Sequence, residues 1–304
     1  MVEELKNTKY VYHYTSIETL FAILERYRRD MKKEALVFRA SNIYKLNDPK
    51  EMEAGYDMVK SFLHKFEKKE IPEVYWLYDI SNIKEYEKKC KEDYIIGEKN
   101  YIVGSGHVPY TISFSARRDY LPMWSLYGKS GKGVCLKFNA YNMIKNISDA
   151  EIGFVAYNNT RSSMRTLNEI IPKMYKMYMN EYKDKHSELS VDNKIRELAT
   201  ICLSVSPYIK FRDYQYEKEF RLTHYKHYGI NRDEIINSSI HDLWTPFFDI
   251  DSYVETPIPA ESLKEIIVGP NMDFDSIRNI IKREVKACDL DVIVSKSKVP
   301  FRIK

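Results

Sequence analysis

The segment Tyr208–Leu222, YIKFRDYQYEKEFRL, limits the fold more than any other stretch of this chain. If it forms a β-strand, successive side chains point to opposite faces. One face then carries apolar residues such as Phe220, and the other carries Glu217, Glu219 and Arg221. This alternation is typical of a strand that packs one face on a core and turns the other toward solvent or a cleft.

Glu217 and Glu219 form a Glu-x-Glu pair on this strand, about 7 Å apart at the backbone. Two carboxylates crowded in a cleft raise the pKa of one of them, which suits acid–base chemistry. A ladder of solvated charges is the alternative interpretation, and a helix through Tyr216 and Phe220 is a second, because no breaker interrupts the stretch. We expect glutamine at either carboxylate to leave the fold intact, since both are placed on the surface.

Composition excludes several classes of protein. The 304 residues include 48 basic and 44 acidic ones, which are mixed along the chain, so the net charge of +4 does not indicate strong binding to nucleic acid or membrane. No apolar run is long enough for a transmembrane helix, and the charged start, MVEELKNTKY, does not resemble a secretory signal. The cysteines are widely spaced: Cys90, Cys135, Cys202 and Cys288. We therefore expect a cytoplasmic protein without disulfides or structural zinc.

His13 lies at the end of a predicted strand, Tyr10–Tyr14. Thr15 and Glu18 follow with the spacing of a capping box, which predicts that a helix begins there. Strand ends beside helix N-termini often line clefts, although a structural histidine is the alternative.

Ser113 and Ser115 end a second predicted strand, Tyr110–Ser115, which alternates and is rich in β-forming residues. A short helix is predicted next, over Leu121–Tyr127. Further elements are predicted along the chain: strands at Leu36–Ala40, Val134–Phe138, Glu265–Val268 and Val292–Ser295, a helix at Phe274–Lys286, and a proline-punctuated connection at Tyr253–Pro259. His224 and His227 have no third ligand nearby, so no metal site is expected.

Two long charged and aromatic segments, residues 50–100 and 160–206, have helical character. Predicted strands lie on both sides of each segment. We therefore predict one domain over residues 1–304, of the α+β class, with these two segments as helical insertions around one sheet.

Five motifs resemble an uncharacterised bacterial family of domains of unknown function. They are YHYTS (Tyr12–Ser16), LNDPKE (Leu46–Glu51), SFSARRDYLPMWSLYG (Ser113–Gly128), GVCLKF (Gly133–Phe138) and YQYEKEFRL (Tyr214–Leu222). More remotely, the order His, Ser-x-Ser, Glu-x-Glu is similar to the ADP-ribosyltransferase superfamily. That resemblance implies a split, strongly bent central sheet that clamps NAD.

The resemblance to ADP-ribosyltransferases also implies roles for single residues. Glu219 would be the catalytic glutamate, and Glu217 would orient the acceptor. His13 would hydrogen-bond a ribose hydroxyl of NAD, and the backbone of Tyr14 would receive the nicotinamide amide, with Thr15 completing this part of the NAD site.

The remaining implied roles belong to the Ser-x-Ser strand and the following helix. Ser113 and Ser115 would brace the site, and Trp124 or Tyr127 would stack on nicotinamide. We therefore expect His13, Ser113 and Glu219, about 100 residues apart in sequence, to converge on one cleft.

The function implied is an NAD-dependent ADP-ribosyltransferase-like enzyme that transfers ADP-ribose to an unknown protein or nucleic-acid acceptor. Such an enzyme could serve as a bacterial toxin or phage-defence effector with an antitoxin or immunity partner. Two alternatives stay open. One is a nucleic-acid-binding or nuclease-like module using Arg117, Arg118, Arg161 and Arg165. The other is a non-catalytic interaction or sensor protein.

Overall fold

The structure is a computed structural model. It describes residues 8–32, 34–46, 52, 54–55, 57–58, 107–145, 147, 150–158, 205–227, 240–244 and 250–301. Most of the two predicted insertions lies outside these ranges. Within the first insertion, residues 54, 55, 57 and 58 are helical.

The strands of the described residues are β1 Tyr10–Thr15, β2 Ala35–Asn42, β3 His107–Ser115, β4 Val134–Asn139, β5 Glu151–Phe154, β6 Ala156–Tyr157, β7 Ile209–Lys210, β8 Glu219–His227, β9 Ile240–Trp244, β10 Ile250–Pro259, β11 Leu263–Val268 and β12 Ile293–Lys296. The α-helices are α1 Ile17–Arg29, α2 Leu121–Leu126, α3 Ala140–Ile144 and α4 Phe274–Ala287. Short 3₁₀ helices occupy Ile43–Lys45, Ser206–Tyr208, Arg212–Glu217 and Ala260–Ser262.

In the described part of the chain, ten strands form one sheet. Its main path runs β12-β11-β4-β1-β3-β2-β10-β9, and β8 joins β3 to β5 beside this path. Neighbouring strands of this sheet are antiparallel except β11 and β12, which are parallel. Helix α4 joins these two strands, and the sequence predicts this order of strand, helix and strand. The α+β class is confirmed. None of the described helices is long and apolar enough to span a membrane.

Helices α1 and α4 cover one face of the sheet. Helix α1 turns Leu20 and Leu24, which are four residues apart, toward that face, and α4 contributes Ile281. These residues form the apolar stripes by which the helices pack on the sheet. Phe114 and Phe220 reach the same core from β3 and β8. Burial of these large side chains supplies the main driving force for holding the two helices on the sheet.

Helix α1 begins one residue later than the capping box predicts. Ser16 is the N-cap, and its hydroxyl accepts a hydrogen bond from the backbone N–H of Thr19 at 3.1 Å. Thr15 instead ends β1, where it pairs with Val134 of β4. Because Thr15 pairs in the β-sheet, the next hydroxyl residue, Ser16, caps the helix.

Strand β3 has different partners along its two edges. One edge pairs with β8 over the whole length of β3, from His107 to Ser115. The other edge pairs with β2 at Tyr110 and Thr111, and with β1 only at Ser115. Strands β1 and β2 therefore diverge beside the middle of β3, and the sheet is split there. The similarity of the protein to the ADP-ribosyltransferase superfamily stays a prediction.

The segment Tyr208–Leu222 is neither one strand nor one helix. Arg212–Glu217 is a 3₁₀ helix, Lys218 adopts a left-handed conformation with φ 46°, and β8 begins at Glu219. The prediction that both glutamates line one face of a strand is therefore wrong. The turn at Lys218 is fixed by its carbonyl, which accepts a hydrogen bond from the N–H of Ala116 at 2.9 Å.

The predicted connection Tyr253–Pro259 is instead part of strand β10, and it pairs with β2 from Tyr253 to Pro259. Its pairing with β9 ends at Val254, so Pro257 and Pro259 lie where the other edge of β10 has no described partner. A proline whose missing N–H faces such an edge removes no ladder hydrogen bond.

Phe114→Ala tests the core beneath the split. Phe114 is 2% exposed and contacts the rings of Phe138 and Phe220. We expect the free energy of unfolding to fall by about 3–5 kcal/mol, measured by denaturant titration. Tyr141→Ala is the control, because Tyr141 is 72% exposed, and should change stability by no more than about 0.5 kcal/mol. Equal effects of the two changes would contradict this view of the core.

Candidate functional site

A cavity of about 460 Å³ lies beside the split in the sheet. Residues of β1, β2, β3 and β8 line it, together with residues of α2 and of the 3₁₀ helix Arg212–Glu217. Its volume falls within the range of small-molecule sites. The cavity is therefore the first place to look for a function among the described residues.

Alternate side chains of β3 and β8 point to opposite faces of the sheet. Ser113 lies opposite Arg221, and Ser115 lies opposite Glu219, so these four side chains share one face of the sheet. All four line the cavity. Phe114, between the two serines, points toward the core. The pattern that predicted the strands thus also explains the polar wall.

Four charged side chains form a buried charge cluster at this wall: Lys210, Glu217, Glu219 and Arg221. Lys210 Nζ lies 2.9 Å from Glu217 Oε2 and 3.1 Å from Glu219 Oε2. Arg221 donates to both carboxylate oxygens of Glu219, from Nε at 2.7 Å and from Nη2 at 3.1 Å. The two cations balance the two carboxylates, as buried charges require.

Neighbouring groups fix the charge cluster in place. The hydroxyl of Tyr127 donates to Glu217 Oε1 at 2.6 Å, and Arg221 Nη1 donates to the carbonyl of Pro207 at 2.5 Å. The backbone N–H of Glu219 donates to the hydroxyl of Tyr157 at 3.0 Å. These contacts leave each carboxylate with one orientation, which is how a preorganised site is built.

The two carboxylates have opposite pKa shifts. Burial by itself raises the pKa of Glu219, but the charges of Arg221 and Lys210 outweigh burial and lower it to about 2. Burial raises the pKa of Glu217, and the charge of Lys210 offsets this only in part. Glu219 is therefore the carboxylate that is ionised at neutral pH, and Glu217 is the one that accepts a proton more readily.

His13 borders the cavity at the split, but its ring lies on the core face of β1. It contacts the rings of Phe38 and Phe114, with centroids 5.5 Å and 5.6 Å away. His13 Nδ1 is 2.9 Å from the carbonyl of Ser113, which can only accept, so Nδ1 carries the proton. Burial lowers the pKa of His13. The residue is thus a neutral imidazole that bridges β1 to β3 where their backbone pairing stops.

The other predicted site residues separate into two groups. Tyr14 and Tyr127 line the cavity, whereas Thr15 and Trp124 do not. Trp124 is fully buried, and its indole N–H donates to Asp119 at 2.8 Å. Of the two aromatic residues predicted to stack on a ligand, only Tyr127 is in a position to do so.

Lys210 and Arg39 line the cavity but were missed by the sequence analysis. A lysine between apolar and aromatic residues, as in Tyr208–Phe211 (YIKF), is a weak signal for a buried cation. Arg39 lies within a predicted strand, and nothing local distinguishes it from a solvated residue.

Within the described residues, no group of three or more His, Cys, Asp or Glu side chains could hold a metal ion. His224 is buried, and its Nε2 lies 2.9 Å from the hydroxyl oxygen of Thr256.

The burial of both glutamates overturns the expectation that they are surface residues. Glu219→Gln leaves Arg221 and Lys210 with one carboxylate instead of two. We expect the free energy of unfolding at neutral pH to fall by about 3–5 kcal/mol, measured by denaturant titration. Glu284→Gln is the control, because Glu284 forms a surface pair with Arg28 at 3.3 Å, and should cost no more than about 1 kcal/mol.

Comparison of wild type with Glu219→Gln at several pH values tests the pKa of Glu219. A carboxylate whose folded pKa is about 2, below its ordinary 4.5, adds stability that is fully present above pH 4.5. That contribution is lost as the pH falls toward 2. The difference in unfolding free energy between wild type and Glu219→Gln should therefore shrink over this range. A difference that does not vary with pH would show that the charge of Glu219 is not involved.

Comparison with known proteins identifies one family. Residues 123–222 match the family described as Protein of unknown function (DUF2971). Neither a curated protein nor a solved structure matches the chain, so the ADP-ribosyltransferase resemblance has no support from these comparisons. The matched residues include the whole charge cluster and Tyr127, whereas His13 and Ser113 precede them. The residues that are similar to this family, whose function is unknown, thus include the charged wall of the cavity.

Proposed function

We propose that this protein is an NAD-using enzyme similar to ADP-ribosyltransferases, which cleaves the nicotinamide–ribose bond and transfers ADP-ribose to an acceptor. One observation supports this above all. His13, Ser113 and Glu219, on three different strands, border one cavity at the split of the sheet. That these three residues border the same cavity supports the proposal.

The chemistry fits an ionised carboxylate in this cavity. Breaking the bond between ribose C1′ and the nicotinamide nitrogen sends the electron pair to nicotinamide and leaves positive charge on the sugar. Nicotinamide departs neutral, so no general acid is needed. Glu219, whose pKa is about 2, is ionised at neutral pH and stabilises the developing cation.

Arg221 and Lys210 hold Glu219 in its ionised form and in one orientation. Their charges weaken the field of the carboxylate. Glu219 Oε2 already accepts from Arg221 Nη2 and Lys210 Nζ, so a ribose hydroxyl approaches Oε1, which accepts from Arg221 Nε. Because the carboxylate is already fixed, little reorganisation is needed when the charge develops.

Glu217 is suited to the transfer step. Its raised pKa makes it a better proton acceptor than Glu219 at neutral pH. The acceptor forms a bond to C1′ and loses a proton, which Glu217 takes. The hydroxyl of Tyr127, 2.6 Å from Glu217 Oε1, keeps that carboxylate oriented.

Aromatic side chains supply the surface for nicotinamide. Tyr127, Tyr214 and Tyr216 line the cavity close to the charge cluster. Lys210 Nζ lies 4.8 Å from the ring centroid of Tyr214, which limits the movement of that ring. A planar heterocycle entering the cavity therefore finds aromatic walls beside the carboxylates.

The alternative functions have less structural support. For a nucleic-acid or nuclease-like role, Arg118 is engaged by Glu265 at 2.8 Å, and Arg161 and Arg165 lie outside the described residues. A purely structural role for the polar strand ends explains the charge cluster but not the cavity in front of it. The toxin or phage-defence role and an antitoxin or immunity partner rest on the resemblance alone.

Incubation with NAD tests the proposal. Wild type should release nicotinamide, and Glu219→Gln should reduce the rate by about 10²-fold or more, since the charge that stabilises the cation is removed. Glu284→Gln on α4 is the matched control and should keep the wild-type rate. Calorimetry should show that Glu219→Gln, at a temperature where it is folded, still binds NAD. A wild type that neither binds NAD nor releases nicotinamide overturns the proposal.

Glu217→Gln should separate cleavage from transfer. Nicotinamide release should stay within about tenfold of wild type, whereas transfer should fall further because the proton acceptor is missing. The measurement is the ratio of labelled ADP-ribose incorporated into cell-extract components to nicotinamide released. An unchanged ratio would remove Glu217 from the transfer step.

A further inference from the structure

Arg39 of β2 lines the cavity, and it differs from the other cations there. Lys210 and Arg221 are both paired with the carboxylates of the charge cluster. Arg39 has no carboxylate partner among the described residues, and its guanidinium carbon lies 4.6 Å from the ring centroid of Tyr253 on β10. The described lining thus holds three cations and two carboxylates, which leaves one positive charge in excess.

Strand register places Arg39 across the split from the charge cluster. Ser41 pairs with Thr111 of β3, and Arg39 is two residues further along β2, where β2 has left β3. Thr111 in turn lies opposite Thr223 of β8. By strand spacing, the backbone of Arg39 is at least about 10 Å across the sheet and about 7 Å along it from Glu219. Arg39 and Glu219 therefore stand at opposite sides of one cavity.

We propose that Arg39, assisted by the hydroxyls of Ser41 and Thr111, is the subsite that binds the diphosphate of a dinucleotide substrate. The inference rests on the proposed function for the identity of the dinucleotide. The positive charge of the subsite and its distance from Glu219 follow from the lining residues and the strand register, whatever the substrate is. With the nicotinamide ribose at Glu219, the diphosphate lies toward β2.

The chemistry of Arg39 favours a phosphate ligand. A guanidinium presents parallel N–H donors that match two phosphate oxygens, and it stays charged at every physiological pH. Stacking on Tyr253 restricts the long side chain before the ligand arrives, so less conformational entropy is lost on binding. Ser41 and Thr111 line the same cavity, and the Thr111 hydroxyl, which accepts from Thr223, can itself donate without adding charge.

The subsite predicts which molecules the cavity selects. NAD carries the diphosphate, and nicotinamide riboside has the same reacting end without it. Arg39 should therefore increase the affinity for NAD and for ADP and leave that for nicotinamide riboside unaffected. Raising the salt concentration should weaken NAD binding to wild type more than to a variant that lacks Arg39.

Calorimetry with NAD, ADP and nicotinamide riboside tests the inference on wild type, Arg39→Ala and Arg39→Lys. Arg39→Ala should weaken binding of NAD and ADP by roughly 10- to 100-fold. It should leave nicotinamide riboside binding within about twofold of wild type. Arg39→Lys should be intermediate, because it keeps the charge and loses the planar fork. Arg117→Ala is the matched control: Arg117 is exposed, lies 5.4 Å from the ring of Tyr120 and does not line the cavity.

The outcomes separate this inference from the proposed function. If Arg39→Ala binds NAD as tightly as wild type does, the inference is overturned. It is also overturned if the substitution weakens the binding of nicotinamide riboside as much as the binding of NAD, because Arg39 is then a structural residue. If wild type binds ADP through Arg39 but does not bind NAD, the diphosphate subsite stands and the proposed function fails. If wild type binds none of the three molecules, both are overturned.

Discussion

A fully buried guanidinium must find partners, and the pairing of Arg221 is the interaction on which the cavity depends. Its side chain is held by both oxygens of Glu219 and by the carbonyl of Pro207. Lys210 then joins Glu219 to Glu217. These bonds tie the start of β8 to the residues before it, which form no long regular element of their own. The groups that stabilise this wall are therefore the same groups to which we assign chemistry, so their substitution affects both stability and activity.

The second constraint is the divergence of β1 and β2 from the edge of β3. Backbone groups that leave a ladder need other partners, and His13 supplies one by donating to the carbonyl of Ser113. The ring of His13 also fills space between Phe38 and Phe114. Strand β2 can then continue along β10, which brings Arg39 over Tyr253. The split thus creates room for a ligand without leaving an apolar void.

Local patterns predicted several strands, among them β1, β3 and β4, the short helix α2 and the α+β class, because alternation and helical spacing depend on near neighbours. The meeting of His13, Ser113 and Glu219 came from the resemblance, since no local rule places residues 100 positions apart. The break at Lys218 and the burial of Glu219 could not be predicted in this way. The N–H of Ala116 bonds the carbonyl of Lys218. Lys210 and Arg221 pair with the buried carboxylate of Glu219, and the alternation of the segment predicts none of these contacts. The position of Arg39 at the cavity was missed for the same reason, because it depends on strands that are distant in sequence.

The central claim is that Glu219 acts on the nicotinamide ribose of NAD inside this cavity. The most direct measurement is a crystal structure of wild type with an uncleavable NAD analogue bound. The account predicts that ribose C1′ lies within about 4 Å of a carboxylate oxygen of Glu219, close enough for that charge to act on the developing cation. An analogue bound elsewhere, or bound in the cavity with its ribose remote from Glu219, would contradict the account.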